Sequence, residues 1–256
     1  MDGGARSFAD LGRLETFETL ASTSDLCMER ARSGERGPLW IMAREQTAGR
    51  GRLGRAWSSP RGNLHASLLL VDPGSTREAP QLGFVAGVAL IDALRAHAPH
   101  LPFALKWPND VLLEGAKLAG VLVDGSMTAE GRFAVVIGFG VDCSHSPQGL
   151  AYPATDLAAL GAPCAPDELL ARLMPAFSAR LAQWARGAGF ARVREAWLGY
   201  AAGLGADIEV RQGGRIVRGR FETIDDEGRL IVSGPDGRVA LEAGDVFPLR
   251  ATLANG

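Results

Sequence analysis

The segment Gly49-Arg50-Gly51-Arg52-Leu53-Gly54-Arg55 places three glycines and three arginines within seven residues. Its spacing matches G-x-G-x-x-G, which in dinucleotide-binding α/β folds follows a strand and opens a helix. An apolar strand is predicted before the segment, but the Ser-, Pro- and Gly-containing stretch 56–63 cannot form a helix. The chain also lacks the motif G-x-x-x-x-G-K-S/T. The sequence therefore excludes a Rossmann site and a Walker loop.

The composition of this Gly-Arg loop (residues 49–55) favours contact with an anion. Glycine lets the backbone approach a ligand closely, and a guanidinium group matches the oxygens of phosphates and carboxylates. We expect a loop that is mobile when empty and closes over a phosphate-bearing ligand. A solvated surface turn and an RNA-binding Arg-Gly segment are the alternatives.

Length and charge narrow the class of protein. The 256 residues carry 27 basic and 29 acidic side chains, a net charge of −2, which excludes a strongly basic nucleic-acid coat. The three cysteines are an odd set without zinc spacing, which indicates a reducing compartment. No apolar run approaches the roughly 18 residues that cross a bilayer, and the N-terminus lacks an apolar signal core. We expect a soluble, cytoplasmic protein.

Lysine is rare in this chain. Only Lys106 and Lys117 occur among the 27 basic residues, so the other 25 are arginines. An ammonium group is a compact point charge, whereas guanidinium is a planar fork. The two lysines therefore indicate positions where an ammonium group is needed, with compositional bias as the alternative.

Hydrophobic periodicity predicts an α+β domain over residues 1–203 and a small β-barrel over 204–256. In the first domain it predicts strands over 39–44, 64–71, 103–107, 118–123 and 133–141, and helices over 22–34, 80–98, 167–185 and 191–200. In the second it predicts short strands over 207–212, 215–224, 229–233, 238–243 and 245–250, joined by Gly-containing turns at 213–214, 227–228 and 236–237.

The segment Lys106-Trp107-Pro108-Asn109-Asp110 predicts a rigid turn after a strand. Lys117 opens the next predicted strand. If the chain returns antiparallel, Asp110 and Lys117 lie near each other, and the small residues after Lys117 leave room for a ligand. A plain turn followed by a surface lysine is the alternative.

Three motifs together resemble those of the biotin protein ligases. They are the Gly-Arg loop, the Lys106–Asp110 segment, and Lys117-Leu118-Ala119-Gly120, in the family's order and spacing. The resemblance covers nearly the whole chain and is closest to the form without an N-terminal DNA-binding domain. It implies a catalytic domain over 1–203 similar to that of class II aminoacyl-tRNA synthetases, with a mixed β-sheet and flanking helices.

The resemblance also implies an activity. Biotin would attack the α-phosphate of MgATP to give biotinyl-5′-adenylate, and a lysine of a biotin carboxyl carrier protein would then take the biotin. ATP, Mg²⁺ and biotin are the implied small molecules, and the Mg²⁺ ligands are not identified. The implied catalytic residues are Lys117, Arg52 and Asp110; the biotin-binding residues are Ser22, Thr23, Ser24, Gln46, Arg50, Gly51, Arg52 and Lys117; the ATP- and adenylate-binding residues are Arg52, Arg55, Lys117 and Asn109.

The chain departs from the family pattern at three positions. Asp142 stands where the family commonly has Asn, Ser24 where Asn is common, and Thr47 where a second Gln can stand. The resemblance implies no DNA or membrane partner, and a homodimer is one alternative for the oligomeric state. Two other functions stay open: a lipoate–protein ligase, and a non-catalytic carrier- or RNA-binding protein.

Overall fold

The computed structural model describes residues 12–149, 152–235 and 237–248. These residues form two β-sheets and four α-helices. Two of the helices lie between strands of the first sheet along the chain, and the other two connect the first sheet to the second. The first sheet contains β1 (Arg13–Phe17), β2 (Leu39–Ala43), β3 (Leu64–Val71), β4 (Phe103–Lys106), β5 (Asp110–Leu113), β6 (Ala116–Met127) and β7 (Phe133–Val141); the helices are α1 (Thr23–Arg32), α2 (Gln81–His97), α3 (Pro166–Trp184) and α4 (Phe190–Leu198); the second sheet contains β8 (Asp207–Gln212), β9 (Arg215–Ile224), β10 (Leu230–Gly234), β11 (Gly237–Leu241) and β12 (Asp245–Pro248).

The first sheet is mixed, as the sequence predicted. Its order is β1-β2-β3-β7-β6-β5-β4, with β1 and β2 parallel and the other neighbours antiparallel. Helices α2 and α3 cover one face, and α1 covers the other. Because side chains alternate along a strand, Leu68 and Leu70 of β3 face α2 and α3 while Ser67 and Leu69 face α1.

The predicted strand over 118–123 is longer in the structure and is paired with a strand that the sequence analysis missed. Asp110, which had been assigned to the turn, and residues 111–113, which had been left unassigned, form β5 between β4 and β6. The tight turn at Glu114 and Gly115, both with positive φ, leads from β5 into β6. Strand β1 was also missed, because its alternating pattern is mostly exposed and carries little apolar signal.

The chain after α4 ties the second sheet to the edge strand β4. The backbone N–H of Leu105 donates to Tyr200 O, and that of Ala202 donates to Leu105 O, both at 2.7 Å. The buried Trp107 donates its indole N–H to Gly228 O at 3.3 Å. These contacts set the second sheet beside the end of the first.

The second sheet is antiparallel throughout, in the order β11-β10-β9-β8-β12. It has its own buried apolar side chains, among them Val210, Phe221 and Leu230. Among the described residues the outer strands β11 and β12 do not pair with each other, so the predicted barrel is observed as a five-stranded sheet. Asp236 of the predicted third turn, and residues 249–250 of the predicted last strand, lie outside the described residues.

A search of the described residues for a helix long and apolar enough to cross a membrane finds none.

Candidate active site

A cavity of about 620 Å³ opens on the α1 side of the first sheet. Strands β3, β6 and β7, the start of α1 and the Gly-Arg loop surround one part of it, and β12 of the second sheet borders the other. Every residue that the sequence analysis assigned to the site lines this cavity: Ser22, Thr23, Ser24, Gln46, Arg50, Gly51, Arg52, Arg55, Asn109, Asp110 and Lys117.

Neutral polar side chains gather where α1 begins. The Thr23 backbone N–H donates to Gln46 Oε1 at 2.8 Å, and the Thr23 hydroxyl reaches the same oxygen at 3.0 Å. Ser67 Oγ shares hydrogen bonds with Thr23 Oγ1 at 2.7 Å and with Ser24 Oγ at 2.9 Å. Ser22 caps the helix by accepting from the backbone N–H of Asp25 at 3.2 Å. This network holds hydroxyl and amide groups at one end of the cavity.

Sequence reasoning missed Ser67. The signal was available, because a serine within the apolar run of β3 is fully buried and must find hydrogen-bond partners. Those partners come from α1, which the sequence did not place against this face of the sheet.

Glycines on β6 and β7 make room for the indole of Trp57. A Cβ atom at Gly140 would lie 2.5 Å from the Trp57 ring, and one at Gly120 would lie 3.2 Å from it. A Cβ at Gly138 would lie 2.9 Å from Ser24 Oγ. The expected space beside Lys117 therefore exists, but an aromatic ring that the sequence analysis did not single out occupies part of it.

Lys117 and Asp110 form an ion pair in the cavity, so the two side chains lie near each other as expected, although the chain returns through the extra strand β5. Lys117 Nζ lies 2.6 Å from Asp110 Oδ1, and both side chains are less than 20% exposed, at 17% and 18%. The ammonium also lies 5.2 Å from the centroid of the Trp57 ring and 5.6 Å from that of Tyr152. A cation is thus held beside two aromatic rings in a largely shielded position.

Two arginines of the Gly-Arg loop contact other parts of the cavity. Arg52 Nη1 donates to Asn109 Oδ1 at 3.3 Å and to Gly244 O at 3.4 Å. Asn109 is fixed in turn, since its amide donates to Val121 O at 2.7 Å. Burial lowers the pKa of the Arg52 guanidinium, which still remains a cation near neutral pH. Arg50 pairs with Asp25 of α1.

Arg55 joins the loop to the second sheet. Its guanidinium binds the Asp245 carboxylate with two hydrogen bonds, Nη2 to Oδ2 at 2.5 Å and Nη1 to Oδ1 at 3.3 Å. This contact lowers the pKa of Asp245. All three loop arginines therefore have protein partners, and none of them was predictable from the segment alone. The loop tip Leu53 is 82% exposed with a φ of 56°.

Asp142 is buried behind this end of the cavity. It is 3% exposed and accepts a hydrogen bond from the Asn63 amide at 3.0 Å. Burial raises the pKa of Asp142 to about 8, with Lys117 opposing the rise and Asp156 adding to it. Asp142 is not among the described residues that line the cavity, so its effect on a ligand would pass through Lys117.

The carboxylates of the cavity do not form a metal centre. The two acidic residues that line it within the described part of the chain, Asp110 and Asp245, each pair with a cationic side chain. Within the described ranges no group of three or more His, Cys, Asp or Glu side chains is placed to hold a metal ion.

Two family models match the chain. Residues 17–142 match the biotin/lipoate A/B protein ligase family, and residues 203–247 match the biotin protein ligase C-terminal domain.

Similar proteins match most of the length of the chain. The biotin–[acetyl-CoA-carboxylase] ligase of Paracoccus denitrificans is 44% identical over 221 residues, 84% of this chain and 92% of the relative. The ligase of the same name from Mycobacterium tuberculosis is 32% identical over 243 residues, 91% of this chain and 87% of the relative. The biotin protein ligase of Aquifex aeolicus, solved with biotin and ATP, superposes with a TM-score of 0.79 at 25% identity, covering 93% of this chain and 99% of that one.

The fold and the motif-bearing cavity are those of a ligase that couples a vitamin cofactor to a protein. The chain belongs to the biotin protein ligase family.

Proposed function

We propose that the protein activates biotin with ATP and transfers it to a lysine of a biotin carboxyl carrier protein. The observation that carries this proposal is that Arg52, Lys117 and the hydroxyl and amide groups at the start of α1 line one cavity. The relatives that share most of the chain are named for this reaction on acetyl-CoA carboxylase.

The hydroxyl and amide end of the cavity suits the ureido head group of biotin. Thr23, Ser67 and Gln46 already share hydrogen bonds, so their positions are set before a ligand arrives. A ureido group has both donors and acceptors, and buried polar atoms of this kind need partners of both types. Ser22 and Ser24 extend the set along α1.

Lys117 would act at the reacting carboxylate. In the first half-reaction a biotin carboxylate oxygen attacks the α-phosphorus, a C–O–P anhydride forms, and the bond to pyrophosphate breaks. Both reactants are anionic, so a fixed cation between them lowers the barrier. Lys117 is already held by Asp110 at 2.6 Å and needs little reorganisation.

Asp110 would orient the acceptor in the second half-reaction. The carrier amine attacks the acyl carbon of the adenylate, an amide bond forms, AMP leaves, and the amine proton passes to solvent. The Asp110 carboxylate, beside Lys117, would hold the incoming amine in line. Asn109, Arg52 and Arg55 would border the nucleotide from the other side.

The Gly-Arg loop would keep water away from the adenylate, which hydrolyses when exposed. Arg50 and Gly51 would cover the biotin side, and Arg52 the phosphate side. Mg²⁺ would arrive with the phosphates of ATP, since Mg²⁺ commonly binds through substrate phosphates and few protein carboxylates. This matches a cavity whose two carboxylates are already paired.

We assign the two half-reactions to residues 1–203 and the closure of the nucleotide side to residues 204–256. The second assignment rests on the contacts of Gly244 and Asp245 with the loop. The three cysteines are free and buried, in keeping with a reducing cytoplasm.

The test is incubation of the purified protein with biotin, MgATP and a biotin carboxyl carrier domain, followed by intact-mass measurement of the carrier. We expect a mass gain of one biotinyl group that needs ATP, and biotin-dependent exchange of labelled pyrophosphate into ATP. A mass gain with lipoate in place of biotin would indicate a lipoate–protein ligase. Retention of RNA or of the carrier without any mass gain would indicate a binding protein.

A further inference from the structure

Among the described residues five cationic side chains line the cavity, and four of them have a polar partner. Arg50 pairs with Asp25, Arg52 with Asn109 and Gly244 O, Arg55 with Asp245, and Lys117 with Asp110. Among the residues that the structure describes, no hydrogen bond or ion pair involves the ammonium of the fifth, Lys106. The ammonium of Lys106 instead lies over the aromatic ring of Phe247, whose centroid is 5.6 Å from Nζ.

The position of Lys106 follows from the strand register. Lys106 at the end of β4 lies directly opposite Asp110 at the start of β5, so both side chains are on the same face of the sheet. The Asp110 carboxylate nevertheless forms its ion pair with Lys117 of β6. The strands that carry Lys106 and Lys117 are separated by β5, so they lie roughly 10 Å apart across the sheet. Lys106 is on the side of the cavity that β12 borders, where it contacts Phe247.

An ammonium group without an anion is unfavourable in this setting. Burial is the largest influence and lowers the pKa of Lys106; Asp110 and Asp245 raise it, and Lys117 lowers it. A polyanion bound here would offset the desolvation of Lys106. Asp245 is less available as a counter-ion for Lys106, because both oxygens of its carboxylate accept hydrogen bonds from Arg55.

We propose that Lys106 binds the β- and γ-phosphates of ATP and the pyrophosphate that leaves, so that the two lysines of the chain divide the triphosphate between them. This assignment rests on the proposed function, in which Lys117 meets the carboxylate and the α-phosphate. When the α-phosphorus–oxygen bond breaks, the departing pyrophosphate gains negative charge, and Lys106 stabilises that charge without proton transfer. The ring of Phe247 in the second sheet lies against the ammonium of Lys106.

The test compares Lys106→Met, which keeps an unbranched apolar stem, with Lys106→Arg, which keeps the charge. In biotin-dependent pyrophosphate exchange, Lys106→Met should raise KM for pyrophosphate and for ATP about ten- to a hundredfold, the range expected for a lost charge-assisted hydrogen bond. KM for biotin should change less than about twofold, because that end of the cavity is untouched. Lys106→Arg should recover part of the loss, because it restores the positive charge but not the compact ammonium group.

The matched control is Arg192→Ala, which removes one positive charge from an exposed position on α4. It should leave all three KM values unchanged. The proposal is overturned if Lys106→Met leaves KM for pyrophosphate and ATP unchanged, or if it raises only KM for the carrier domain. The second result would place Lys106 at the acceptor instead.

Direct binding separates this proposal from the proposed function. Titration of wild-type protein with magnesium pyrophosphate in a calorimeter, without biotin, should show binding that Lys106→Met loses and Lys106→Arg retains. That result supports the anion site even if biotin is not activated. Equal pyrophosphate binding by wild type and Lys106→Met contradicts the site even if biotin is activated.

Discussion

The two ends of the cavity are built in different ways. The neutral end, formed by Ser22, Thr23, Ser24, Gln46 and Ser67, lies within the first domain and consists of hydrogen bonds between uncharged groups. The charged end, formed by Arg52, Arg55, Lys106, Asp110, Lys117 and Asp245, uses ion pairs and reaches into the second sheet. The difference shows how one cavity can recognise a neutral head group by geometry and process anions by fixed charge.

The largest expected effect is at the charged end. Lys117→Ala should reduce biotin-dependent pyrophosphate exchange at least about a hundred- to a thousandfold, the usual loss for a group that stabilises developing charge. The reason is that the carboxylate and the α-phosphate then meet without a counter-charge. Arg192→Ala, at an exposed position of α4, serves as the charge-loss control. A wild-type exchange rate in Lys117→Ala would remove Lys117 from the mechanism.

The next effect concerns the buried carboxyl group behind the charged end. The folded-state pKa of Asp142 is about 8, raised by burial from an ordinary value of 3.8. Between these values only the folded protein holds the proton, so stability falls as pH rises, by about 1.4 kcal/mol per pH unit. From pH 5 to pH 7 the free energy of unfolding of wild type should therefore fall by about 3 kcal/mol. Asp142→Asn has no carboxyl group at this position and should not show this fall.

Urea unfolding of wild type and Asp142→Asn at pH 5 and pH 7 checks this expectation. The exposed Asp207→Asn controls for the loss of one carboxyl group. Equal pH dependence in wild type and Asp142→Asn would mean that Asp142 is ionised in the folded protein.

A smaller effect is expected where the loop meets the second sheet. Arg52→Gly removes the hydrogen bonds to Asn109 and Gly244 O, and should release labelled biotinyl-adenylate about tenfold faster, the equivalent of one charge-assisted bond. Leu53→Gly is the control for added backbone freedom, because this side chain is 82% exposed. Unchanged retention of the adenylate in Arg52→Gly would count against a sealing role.

The smallest effect is expected at the neutral end. Thr23→Val keeps the shape of the side chain but loses the hydroxyl that Gln46 and Ser67 share. It should raise KM for biotin about fivefold, the equivalent of one neutral hydrogen bond, and leave KM for ATP unchanged. Thr16→Val at an exposed position of β1 is the control. A rise in KM for ATP alone would show that the two ends do not divide the substrates as proposed.

Local patterns predicted much of the fold and of the charged end. Strands β3 and β7 lie where their apolar runs begin and end. The nearness of Asp110 and Lys117 followed from a chain reversal of a few residues, even though the reversal contains the extra strand β5. Short-range signals were sufficient there because both partners belong to neighbouring strands.

Long-range partners could not be read from the sequence. Arg55 and Asp245 are 190 residues apart, and nothing in the Gly-Arg loop indicates which carboxylate it meets. Trp57 looked like a loop residue, and only the sheet register sets it against glycines on β6 and β7. Such contacts depend on how the two sheets are set against each other, which no local pattern specifies.

The exposed pair of Arg55 and Asp245 makes the seal over the nucleotide sensitive to ionic strength. Their side chains are 60% and 32% exposed, so dissolved ions screen the attraction between them. The uncharged hydrogen bonds around Thr23 and Ser67 have no such dependence. Added salt therefore weakens the contact between the Gly-Arg loop and the second sheet at the charged end of the cavity, while the hydrogen bonds of the neutral end persist.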